Sequence, residues 1–149
     1  MALYLIELTP ATASKDEATA LIKTVSNSLS EGAELIETQV SADHKLIFAI
    51  IESENTAFAP ALTAAIGERA SVVGPDEVRL VGAELDDIKK LKKDADYLVE
   101  WDIPAEITME QYLTRKKANA PKYAEVPEVS FLRTYVREDT AKCLCFYDA

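Results

Sequence analysis

Histidine occurs once in 149 residues, cysteine twice, tryptophan once and glycine four times, and each scarcity closes a class of function. One histidine and two cysteines cannot by themselves build a four-cysteine zinc site, or one of two cysteines and two histidines. The glycines (Gly32, Gly67, Gly74 and Gly82) fall near element ends or turns. No Gly-rich phosphate loop, nucleophile elbow or His-Glu-x-x-His motif is present. Positive charge is short as well: 16 Lys and Arg stand against 26 Asp and Glu, a net charge of −10. That balance repels nucleic acid and anionic membranes at long range, so neither is expected as a partner. No apolar run reaches the roughly 18 residues a membrane helix needs. Met1 to Pro10 carries no basic stretch before a small-residue cleavage site. Cys143 and Cys145 are alternate residues of an expected strand, with backbones roughly 6.5 Å apart, long for an easy disulfide. A reducing, cytoplasmic setting is the expectation.

What the sequence does have is a repeat. Tyr4-Leu5-Ile6-Glu7 is answered by Tyr97-Leu98-Val99-Glu100, and each is followed by a proline-bearing turn. Ser14 before Glu17 and Thr108 before Gln111 have capping-box spacing, in which paired side chains satisfy free N–H groups at a helix start. Helices are expected from about Lys15 to Leu29 and from Met109 to Ala118. In the first, Ala18, Leu21, Ile22, Val25 and Leu29 form one apolar stripe. Strands follow at Glu34–Ser41 and Val129–Arg137, with Thr38-Gln39-Val40 matching Thr134-Tyr135-Val136. After a turn come Lys45–Glu52 and Lys142–Tyr147.

The first copy continues with a helix near Thr56–Arg69 and a strand near Glu77–Val81. That order, βαββαβ, predicts a ferredoxin-like unit with both helices on one face of an antiparallel sheet. The strand from Lys45 is nearly all apolar, which predicts cover on both its faces. The second copy's sheet is the expected cover. The chain thus divides into a ferredoxin-like unit at 1–83, a linker helix at 84–95 marked by Leu85, Ile88 and Leu91, and a second unit at 96–149 that stops at βαββ. The fold class is α+β: tandem ferredoxin-like units in a dimeric α/β-barrel-like arrangement. The incomplete second unit is expected to leave an open sheet edge that favours a homo-oligomer.

Tyr97-Leu98-Val99-Glu100, Phe131-Leu132-Arg133-Thr134-Tyr135-Val136 and the closing Cys143-Leu144-Cys145-Phe146-Tyr147-Asp148-Ala149 resemble a family classed as a domain of unknown function. It includes a small bacterial nickel-binding protein. The resemblance is clear over 97–149 and weak over 1–82. It implies ferredoxin-like units packed sheet against sheet, with a small ligand or a metal held between them. The nickel-binding type carries a histidine where this chain has Arg133, with Glu37 at the matching place in the first copy. Arginine has no lone pair for a metal. No metal ligand or cofactor is therefore assigned, and nickel or another transition metal is the minor alternative.

The candidate ligand-binding residues are Glu37, Glu100, Trp101, Arg133, Tyr135, Cys145 and Tyr147. Arg133 can hold a carboxylate in bidentate fashion while Tyr135 or Tyr147 orients it. Equally, Arg133 can pair with Glu37 as a structural ion pair. By period-two alternation, Phe131, Arg133, Tyr135 and Arg137 share one strand face. Cys143 and Cys145 read as small hydrophobes, with Leu46 and Phe48 at the equivalent places in the first copy. Arg115-Lys116-Lys117 reads as a solvated helix face, and His44 as an exposed turn residue. Non-catalytic binding of a small molecule is the leading expectation, and no residue is assigned a catalytic role. The alternatives are a cofactor-independent monooxygenase or isomerase using Glu7, Glu37 or Glu100 as base, and an oligomerisation module.

Overall fold

A computed structural model describes residues 2–29, 32–90, 97–119 and 130–148. The chain forms two compact units, Met1–Glu77 and Val78–Ala149. Its architecture is α+β.

The first unit contains β1 (Ala2–Pro10), α1 (Lys15–Ser28), β2 (Ala33–Val40), β3 (Ile47–Ser53), α2 (Ala59–Ile66) with a 3-10 turn (Gly67–Arg69), and the start of β4 (Ala70–Val81). The strand order is β2-β3-β1-β4, and β3 runs antiparallel to both of its neighbours. Helix α1 starts where its cap dictates: the Ser14 hydroxyl accepts from the Glu17 N–H at 3.1 Å. Ala18, Leu21 and Val25 are its buried stripe. They join Tyr4, Ile6, Leu8, Ile47, Ala49, Ile51, Leu62 and Ile66 in one apolar core. Tyr4 meets Phe58 edge to face, with ring centroids 5.7 Å apart. On the other face of the same sheet Leu5, Phe48 and Ile50 are buried too, so β3 is covered on both sides, as its composition predicts.

β4 begins at Ala70, seven residues before its expected start. The strand runs through Gly74 and Pro75. Gly74 sits at φ +106, a left-handed conformation that costs glycine little. A Cβ there would lie 2.5 Å from the Leu5 carbonyl oxygen, so the close approach of β4 to β1 also needs a bare backbone.

The second unit contains the end of β4, α3 (Leu85–Lys90), β5 (Tyr97–Asp102), α4 (Met109–Asn119), β6 (Ser130–Arg137) and β7 (Lys142–Asp148). Its strand order is β4-β6-β7-β5, with Val78–Val81 as the β4 segment. Ile88 of the expected linker helix is buried. Its expected companion Leu91 lies outside the described residues, as does Val129, the expected start of the strand before Arg137.

The local devices of the first unit recur here. In β2 the register against β3 shifts between Leu35 and Glu37; in β6 it shifts against β7 between Phe131 and Arg133. Each unit also has a turn with one non-glycine residue in the left-handed region, His44 at φ 60 and Thr140 at φ 59. In both turns an aspartate two residues back accepts a backbone N–H: Asp43 from Lys45 at 3.1 Å and Asp139 from Ala141 at 2.9 Å. Counted from these matched turns, Ile47 and Ala49 are the equivalents of Cys143 and Cys145. Leu46 and Phe48 are one residue out of step, because aligning Lys45 with Lys142 followed residue identity and not the turn.

Gly74→Ala should lower stability by more than about 1 kcal/mol, since the residue meets both a positive φ and a backbone oxygen. A chain of this size then melts several degrees lower. An unchanged calorimetric midpoint would refute the close-approach account.

Candidate functional site

Helix α4 is fixed by a complete capping box. Thr108 Oγ1 accepts from the Gln111 N–H at 3.2 Å, and Gln111 Oε1 accepts from the Thr108 N–H at 3.0 Å. Tyr112 and Lys116, four residues apart, therefore share a helix face. Lys116 Nζ sits 5.9 Å from the Tyr112 ring centroid.

Strand β7 is laddered on both sides, so its alternation is pinned. Cys143 pairs with Trp101 of β5 and Val136 of β6; Cys145 pairs with Val99 and Thr134; Leu144 and Phe146 alternate with them. Cys143, Cys145 and Val136 pack with Tyr112 in one buried cluster, with Tyr147, Ile103 and Ile107 around it. Beside it opens a cavity of about 460 Å³, within the range of small-molecule sites. Trp101, Ile107, Tyr112 and Tyr147 give it apolar walls, Cys143 is part of its lining, and Arg115 and Lys116 supply positive charge.

The two thiols form no disulfide, and their sulfurs are 3.9 Å apart. The strand rise separates the backbones, but the side chains lean together. Lys116 Nζ approaches Cys145 Sγ at 3.3 Å, and the Thr134 hydroxyl donates to the same sulfur at 3.4 Å. The Cys143 thiol, the Thr134 hydroxyl and the Lys116 ammonium hold the Cys145 thiol below the usual thiol range against the penalty of burial. Cys143 is pushed the other way, because it donates to Cys145 and because it is buried. Burial also raises the Tyr112 phenol. Its hydroxyl is buried without a hydrogen bond of ordinary geometry.

The seven candidate residues do not gather at one place. Trp101 and Tyr147 line the cavity and Cys145 lies in the cluster behind it. Arg133 and Tyr135 pair with Phe146 and Leu144, on the opposite face of the sheet. There Arg133 is 3% exposed and stacks over the Phe146 ring at 4.8 Å. The register shift pairs Phe131 with Tyr147, so the alternation read through Phe131 breaks before Arg133. Glu100 is exposed and ion-paired with Lys142. Glu37 belongs to the first unit and accepts from Gln39 Nε2 at 3.2 Å. His44, in the first unit's turn, is half-buried.

Sequence reasoning missed Tyr112, Arg115, Lys116, Thr134 and Cys143. The helical spacing of Tyr112 and Lys116, and the facing of Thr134 toward Cys145, are the signals that carry them.

Residues 97–149, a little over a third of the chain, match the family described as nickel responsive protein SCO4226-like. The resemblance read from Tyr97 to Ala149 coincides with this segment. No curated protein matches the chain. Among the described residues no three His, Cys, Asp or Glu side chains form a metal-holding group, and the only histidine lies outside the segment.

The thiol pair gives folding a defined pH dependence. The first proton leaves the native pair below the ordinary thiol pKa of about 8.5, so stability rises with pH up to that range. The second leaves above it, so the gain is lost again at higher pH. Urea midpoints measured against pH should show this rise and fall, and Cys145→Ser should remove the rise. An unaltered profile in that variant would contradict the assignment.

Proposed function

We propose that the chain is a binding protein whose second unit takes a small organic anion with a planar apolar body. The cavity carries the reading: aromatic walls from Trp101, Tyr112 and Tyr147 beside the cations Arg115 and Lys116. Flat rings stack on such walls, and a carboxylate pairs with a guanidinium in bidentate geometry. The anion is thus assigned to Arg115, not to Arg133, whose guanidinium stacks on Phe146. The match of residues 97–149 to a nickel-responsive family supports a binding role. Under this reading both units are ferredoxin-like, which the βαββαβ order and the β2-β3-β1-β4 strand order of the first support. The setting is cytoplasmic.

Benzoate and phthalate are suitable probes. At about a hundred times its dissociation constant a bound anion adds roughly 2.7 kcal/mol of stability. Trp101, half-exposed at the cavity, should change its fluorescence on binding. Arg115→Ala should abolish both responses, and nickel(II) should give neither. If neither anion shifts the melt, or if the shift survives Arg115→Ala, the reading fails.

A homo-oligomer joined at a sheet edge is the second reading. It rests on β5, the end strand of the second unit's order, since an unpaired edge recruits strands. Sedimentation should return a mass above that of one chain; a strict monomer at high concentration would count against it.

A further inference from the structure

We propose that Cys143 and Cys145 hold one soft monovalent cation, copper(I) in biology, between their sulfurs at the inner wall of the second unit's cavity.

Geometry is the first argument. Thiolates about 2.3 Å from a shared metal lie about 3.8 Å apart at a tetrahedral angle and about 4.0 Å apart at a trigonal one. The observed separation is 3.9 Å, so the sulfurs already stand at a chelating distance. The cysteines are 3% and 0% exposed, and the ladders to Trp101 and Val99 on one side and Val136 and Thr134 on the other hold their backbones. Little ordering remains to be done when a metal arrives.

Charge selects the valence. Two thiolates and the Lys116 ammonium sum to one negative charge, which a monovalent cation cancels. A divalent cation would leave uncompensated positive charge in a buried place, which is costly. Softness restricts the choice to thiophilic metals, copper(I) and zinc among them, and the charge then favours copper(I). On binding, each cysteine that is still a thiol loses its proton to water as its sulfur bonds to the metal, and the oxidation state of the metal does not change.

The Tyr112 hydroxyl is an independent sign. The residue is 9% exposed, and its oxygen is buried against the dithiol without a hydrogen bond of ordinary geometry. A water completing the coordination of the metal would be its partner. Cys143 and Tyr112 both line the cavity, which gives the cation its path. The proposal does not depend on the organic-anion reading, since Arg115 plays no part in it.

The test is an anaerobic titration of the reduced protein with copper(I), using bathocuproine disulfonate as the competing chromophoric chelator. One copper(I) per chain should be withheld from the chelator. Cys143→Ser and Cys145→Ser should each weaken binding at least about a hundredfold while the melting curves without metal stay cooperative. Arg115→Ala should leave copper binding intact, which separates this site from the anion pocket. Lys116→Gln should weaken copper(I) and strengthen zinc(II) relative to it. X-ray absorption of the wild-type complex should show two sulfur neighbours, and this decides the matter if a serine variant fails to fold. No withheld copper, copper retained by either folded serine variant, or a metal with fewer than two sulfur neighbours would each overturn the proposal.

Discussion

The double ladder on β7 is the constraint on which the second unit's chemistry depends. A strand paired on one side can slip, and a slip of one residue turns every side chain to the other face. β7 is bonded to β5 and β6 along nearly its whole length, so two side-chain sets are separated for good. Sulfur and the Tyr147 ring point to α4, while Leu144 and Phe146 point away with Arg133 and Tyr135. Helix α4 then needs only its capping box and one helical turn to bring Tyr112 and Lys116 onto the sulfur side.

Electrostatics follows from that sorting. Both faces hold a buried or half-buried cation, but the partners differ. Arg133 lies over an aromatic ring, where a guanidinium stacks well. Lys116 lies against a sulfur, where an ammonium favours the anion. Exposed pairs do other work: Arg79 grips Glu138 with two hydrogen bonds of 3.1 and 3.0 Å, tying β4 to the turn after β6.

The elements, their order and most of their ends were legible because the signals were local. Capping boxes at Ser14 and Thr108, the Ala18–Leu21–Val25 stripe and the apolar run of β3 each act within a few residues. The first half of β4 was not legible, because the role of Gly74 is set by the carbonyl of Leu5, far away in sequence. The site was legible in part. Of the residues named from strand alternation and aromatic character, Trp101 and Tyr147 line the cavity and Cys145 lies in the cluster beside it. Arg133 and Tyr135 were grouped with them because the register shift that separates the faces leaves no composition signature. Lys116 looked like solvated charge, since a sequence does not state which strand a helix face will meet.

The matched turns carry a corollary. Where the second unit has Cys143 and Cys145, the first has Ile47 and Ala49, buried in a hydrocarbon interior beneath the same kind of hairpin. The architecture therefore closes perfectly well with plain aliphatic groups at those two stations. Sulfur there is surplus to cohesion, and the two stations are left open to chemistry that the hairpin itself does not need.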